Sequence, residues 1–133
     1  MGKFSLRKID KNLNPLKPAF SDEELVALTK NGTIIDIAPG TMIFEEGKSG
    51  DELAIIIAGQ AKVTRRGKLI TALESGTVIG EAAVLTGKAR DASVSSVSMC
   101  KIVVLKADGF ASSLTESLDF RLRVDGLVQQ RAA

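Results

Sequence analysis

Between Thr33 and Lys106 glycine recurs at positions 40, 47, 50, 59, 67, 76, 80 and 87, each time separating apolar or alternating runs of about four to seven residues. Short runs at such regular spacing, with turn residues between them, argue for a sandwich or barrel of strands over a helical or βαβ domain. The strands expected are residues 33–38, 42–45, 52–58, 61–65, 69–73, 91–97 and 100–106, and Arg66-Gly67 closes a tight hairpin between two of them.

The flanks follow a different period. Phe4, Ile9, Leu13 and Leu16 suggest one or two loosely amphipathic helical turns, stopped by Pro15 and Pro18. Ser21-Asp22-Glu23-Glu24 then forms a capping box, with Ser21 as N-cap and Glu24 reaching back, opening a helix that ends at Asn31-Gly32. After Lys106 the glycine spacing stops, and Phe110, Leu114, Leu118, Leu122 and Leu127 recur at helical intervals. Two helices are predicted there, over 108–113 and 116–130, with Ser112, Ser113 and Thr115 offering caps and Gly126 weakening the second helix. The chain therefore divides into an N-terminal helical segment (1–32), a β core (33–107) and C-terminal helices (108–133), one domain overall.

Composition narrows the chemistry. A chain of 133 residues, 44% of them hydrophobic, is long enough to bury a core of its own. Eighteen basic against sixteen acidic residues leave a formal charge of +2, too balanced and too scattered for direct binding to nucleic acid. The sequence contains no His and one Cys, which removes most metal sites, every Ser-His or Cys-His nucleophile pair and most acid–base catalysis at neutral pH. The expectation is a protein that is not an enzyme. Cys100, inside the apolar run 100–105, reads as a core residue, and a lone Cys forms no internal disulfide, consistent with a cytoplasmic location. No apolar stretch reaches the ~18 residues of a membrane span.

The segment 80–94, Gly-Glu-Ala-Ala-Val-Leu-Thr-Gly-Lys-Ala-Arg-Asp-Ala-Ser-Val, carries the candidate site. It sets the Gly80-Glu81 pair and Arg90 apart, joined by a short apolar turn of helix beginning near Ala82. A guanidinium meets a phosphate with two directed, charge-assisted hydrogen bonds, which an ammonium cannot do in one plane. The small Ala82 and Ala83 let an anion approach the amides at the helix start, and Gly80 lets the backbone turn sharply beside it. Glu81, acceptor-only when ionised, suits a sugar hydroxyl lying between it and the phosphate.

With its framework Pro39-Gly40-Thr41-Met42-Ile43-Phe44-Glu45-Glu46-Gly47-Lys48-Ser49-Gly50-Asp51-Glu52, the run 55–63 and the cassette 80–94 in unbroken register, the chain resembles the cyclic nucleotide-binding domain family over about residues 16–130. That resemblance implies a mainly β fold with flanking helices: an antiparallel jelly-roll β-roll of about eight strands, an N-terminal helix, a short cassette helix and two C-terminal helices. It implies a cyclic nucleotide as ligand, cAMP with cGMP as the alternative, and no other cofactor. Gly80, Glu81, Ala82, Ala83, Arg90, Asp91 and Ala92 would hold it, Val63 and Ile70 would form the wall against the purine, and Leu127 or Val128 would supply a lid contact. Ala89 stands where the family usually has Pro, and Ala54 where a larger aromatic is frequent.

Asp91 stands where Ala, Ser or Thr is common in the family. A carboxylate facing the phosphate at about 5 Å would cost roughly 1–3 kcal/mol. The alternatives are that it turns outward or pairs with Lys88.

The function expected is a regulatory sensor domain in signal transduction that turns ligand occupancy into movement of the C-terminal helices. Its partners would be the nucleotide, an effector protein or domain outside this sequence, and a second copy through the C-terminal helix. The alternative is a ligand-free jelly-roll module for protein interaction or dimerisation, with a degenerate cassette; a fragment of a DNA-binding regulator is a further rival.

Overall fold

The computed structural model describes residues 20–132, with side chains through Gly126. In chain order its elements are α1 (Asp22–Asn31), β1 (Thr33–Ile37), β2 (Met42–Phe44), β3 (Glu52–Ala58), β4 (Ala61–Arg65), β5 (Lys68–Leu73), β6 (Val78–Ile79), α2 (Glu81–Thr86), β7 (Ser93–Ser96), β8 (Cys100–Lys106), α3 (Ala107–Glu116) and α4 (Leu118–Ala132). The helical turns expected around Phe4, Ile9, Leu13 and Leu16 lie outside the described residues.

The strands form two antiparallel four-stranded sheets, ordered β1-β8-β3-β6 and β2-β7-β4-β5. Sequence neighbours are seldom sheet neighbours, so the chain crosses repeatedly between the two layers and rolls up as a jelly roll. Strand β3 explains why: Leu53 to Ile56 are all fully buried, because both of its faces are covered. Leu53 and Ile55 join Leu28, Val103, Leu105, Phe110 and Phe120 in a core under the helices. Ala54 and Ile56 point the other way, into the core between the sheets, with Ala61, Val94, Cys100 and Ile102. A strand buried on both sides reads as an unbroken apolar run rather than an alternation.

Helix α1 begins with the expected reciprocal cap: the Glu24 amide donates to Ser21 Oγ at 3.1 Å, and the Ser21 amide donates to Glu24 Oε1 at 3.2 Å. The β4–β5 hairpin turns on Arg66 and Gly67, both with positive φ. Seven of the strands stand where they were expected; β6, two residues long, is too short to show a period and exists through its pairing with Ala54 and Ile55.

The C-terminal helices differ from expectation at their junction. Helix α3 continues to Glu116, and Ser113 and Thr115 do not cap a helix end: their hydroxyls donate to the carbonyls of Gly109 and Ala111 one turn back. The residue at the break is Ser117, whose amide closes α3 on the Ser113 carbonyl and whose Oγ accepts the Phe120 amide at 3.1 Å at the start of α4. Among the described residues no helix is long and apolar enough to cross a membrane.

Candidate functional site

A cavity of about 540 Å³ opens between the second sheet and the cassette, a volume within the range of small-molecule sites. One wall is apolar, formed by Phe44 of β2, Val63 of β4, Leu73 of β5 and Val94 of β7, with Thr71 the polar member. The opposite side is the cassette, from Gly80 through Ala83 and again from Lys88 through Ala92.

Arg90 is held from several directions. Gly87 ends α2 in the left-handed conformation, its amide donating to the Ala83 carbonyl at 2.8 Å, and the residues that follow line the cavity from Lys88 to Ala92. The Arg90 backbone is tied to the β2–β3 turn: its amide donates to the Lys48 carbonyl at 2.9 Å, and its carbonyl accepts from the Gly47 amide at 2.8 Å. Its side chain donates from Nη2 to the Glu52 carbonyl at 2.7 Å and from Nη1 to the Gly80 carbonyl at 3.3 Å. The guanidinium carbon lies 3.8 Å from the Phe44 ring centroid, a cation–π contact. Burial pushes the Arg90 pKa below its ordinary value and the Glu52 carboxylate pulls it back up. An arginine stays charged at neutral pH through such opposing effects, so the cavity retains a fixed cation.

Two glycines make room for that side chain. A Cβ at Gly80 would come within 2.7 Å of the Phe44 ring and 2.8 Å of Arg90 Nη1, and the residue's φ of +86° is itself costly for any other side chain. A Cβ at Gly50 would meet Arg90 Nη2 at 2.7 Å.

Glu81 is the first residue of α2, half-buried, on the same cavity as Arg90. Ala82 is exposed and Ala83 is buried, and with Gly80, which supplies no side-chain cap, they bring the start of the helix to the cavity lining. Ala92 is half-buried on the same lining.

Asp91 turns outward. Its side chain is 91% exposed, with Oδ2 3.6 Å from Arg65 Nη2, and its backbone carbonyl accepts from Arg65 Nε at 2.9 Å. The ion pair runs to Arg65 on β4, and not to Lys88.

Of the two expected wall residues, Val63 lines the cavity and Ile70 does not; Ile70 is 50% exposed. The register explains the difference. Val63 pairs with Thr71, so Thr71 takes the inner position and Ile70, one residue away, faces the other side of the sheet; where Thr64 then pairs with Leu69, Ile70 is the extra residue of a β-bulge. Alternation counted back from Leu73 marks Thr71 as inward-facing, a signal the sequence did hold. Phe44 and Gly50 had no comparable cue, since their roles rest on where the Arg90 side chain ends. Leu127 and Val128 fall in α4 beyond the described side chains.

The model of the cyclic nucleotide-binding domain matches residues 34–117, and the chain belongs to that family. It is 34% identical over 85 residues, 62% of this chain and 23% of the relative, to a cAMP-dependent protein kinase regulatory subunit of Yarrowia lipolytica. It is 29% identical over 97 residues, 73% of this chain and 12% of the relative, to a cGMP-dependent protein kinase of Caenorhabditis elegans. The chain thus spans less than a quarter of either relative. The fold is that of the catabolite activator protein of Thermus thermophilus, with a TM-score of 0.70 at 22% identity, covering 90% of this chain and 58% of that one.

Proposed function

We propose that this chain binds a cyclic purine nucleotide, cAMP in the first place and cGMP as the alternative, and passes occupancy on as movement of α3 and α4. The observation that carries this reading is Arg90, a cation held by two carbonyls and a ring on a cavity that also presents Glu81 and an apolar wall.

The nucleotide's single negative charge meets the guanidinium, whose two carbonyl contacts occupy part of its five-donor fork and aim the remainder. Glu81 accepts from a ribose hydroxyl. The purine lies along Val63, Thr71 and Leu73. Val84 of the cassette helix packs against the core cluster containing Phe120 of α4, which gives ligand contact at the cassette a route to the C-terminal helix. The ligand shifts that helix only by its differential affinity for the two positions. The effector is a protein or domain outside this chain. Leu118 and Leu122, exposed four residues apart on α4, offer a face for a second copy.

Calorimetric titration with cAMP and with cGMP, on the wild type and on Arg90→Ala, tests the proposal. Saturable binding of one nucleotide that Arg90→Ala abolishes supports it. No heat with either nucleotide, together with an unchanged melting temperature, favours the ligand-free interaction module.

A further inference from the structure

We infer that Arg65 is a positioning residue for the ligand site, holding Asp91 turned away from the place where the phosphate sits. The inference rests on the cyclic nucleotide reading above and adds a residue from a different strand to it.

Asp91 follows Arg90 directly and is among the residues lining the cavity, so the direction of its side chain decides how near its carboxylate comes to a bound anion. Arg65 meets it at two points with one side chain. Nε donates to the Asp91 carbonyl at 2.9 Å, which holds the peptide, and Nη2 stands 3.6 Å from Oδ2, which draws the carboxylate outward. A planar guanidinium can span both atoms, whereas an ammonium reaches one.

Arg65 is itself well placed for this. It ends β4 in register with β7, where Thr64 pairs with Ser93, and it pairs with Lys68 across the hairpin. The amide of the next residue, Arg66, donates to Glu46 Oε1 at 2.9 Å, which anchors the hairpin to the β2–β3 turn. The cassette therefore tolerates an acid beside its phosphate-binding arginine because a neighbouring strand supplies the countercharge on the outer side. Both side chains are substantially exposed, 46% for Arg65 and 91% for Asp91, so the pair adds little to folding stability. Its effect falls on which way Asp91 points.

The test is a double-mutant cycle read by cAMP titration: wild type, Arg65→Gln, Asp91→Ala and the double variant, with melting temperatures measured alongside. Arg65→Gln is expected to weaken binding by about three- to fivefold at low salt. In the Asp91→Ala background the same change is expected to alter affinity by less than about twofold, because there is no carboxylate left to restrain. Arg65→Lys, which keeps the charge, is expected to weaken binding as well. Equal losses in both backgrounds would mean that Arg65 acts on the phosphate as a distant cation, and would overturn the inference, as would an Arg65→Gln variant that binds like the wild type. A wild type that binds neither nucleotide overturns the ligand reading and this inference with it, whereas additive losses in a wild type that binds overturn this inference alone.

Discussion

The Glu24 carboxylate and the Arg123 guanidinium, 99 residues apart, meet at two points with only 2% and 8% of their side chains exposed. Arg123 Nε donates to Oε2, and Nη2 donates to Oε1 at 3.0 Å. The same Oε1 accepts the Ser21 amide in the capping box, and the Phe20 ring lies 4.0 Å from the guanidinium. One carboxylate therefore starts α1 and fastens α4 to it. Removing Arg123 leaves the buried Glu24 carboxylate without this countercharge, which costs about 3–5 kcal/mol. Arg123→Ala is expected to lose that much in urea denaturation; a loss below about 1 kcal/mol would show that α4 is held by its apolar contacts instead.

Gly50→Ala and Gly80→Ala separate ligand binding from folding. The new Cβ at Gly50 collides only with the end of the Arg90 side chain, which can move aside at little cost to the fold. Gly50→Ala is expected to weaken nucleotide binding by tenfold or more, on the order of 1.4 kcal/mol, while the melting temperature stays close to the wild type. Gly80→Ala meets the Phe44 ring as well and carries a positive φ, so it is expected to lose both binding and about 1–3 kcal/mol of stability. Equal stability losses in the two variants would contradict this division.

Ser117 is fully buried where α3 hands over to α4, its Oγ donating to Glu23 Oε1 at 3.2 Å and accepting the Phe120 amide. Ser117→Ala removes both contacts at a fully buried position. The expected cost is about 1–2 kcal/mol, measured by chemical denaturation; a neutral substitution would mean that the junction is set by packing of Phe110 on Phe120 alone.

Gly126 sits within α4, and among the described residues a Cβ added there meets nothing within 4 Å. Gly126→Ala should therefore stabilise the protein by about 0.5–1 kcal/mol through helix propensity. A fall in melting temperature would indicate that α4 needs the flexibility of a glycine at this point.

Much of the architecture was legible in the linear chain. The capping box at Ser21, the hairpin at Arg66-Gly67 and the apolar run of β3 are local signals, since caps, turns and side-chain period act over a few residues. The cassette was legible for the same reason: Gly80 through Ala83 and Arg90 through Ala92 lie within one short segment, and they line one cavity. Where expectation and structure part, the cause is a contact from elsewhere in the chain. Ile70 is the exception: alternation counted back from Leu73 already puts Thr71 on the inner face and Ile70 on the outer, and the pairing of β5 with β4 agrees with it. The two-residue β6 exists only against β3.

The spacing of glycines from Gly40 to Gly87 and the residue types of the cassette were enough, by themselves, to point to a sandwich or barrel of short strands carrying a candidate anion site; the jelly roll came with the family resemblance. The direction of the Arg90 and Asp91 side chains was decided by the tertiary structure. Arg90 is aimed by the Glu52 carbonyl 38 residues earlier, and Asp91 is drawn outward by Arg65 from 26 residues earlier. Backbone carbonyls and guanidinium groups leave no periodic trace in a sequence, because any residue can present a carbonyl and an arginine reaches it only after the strands have been brought together.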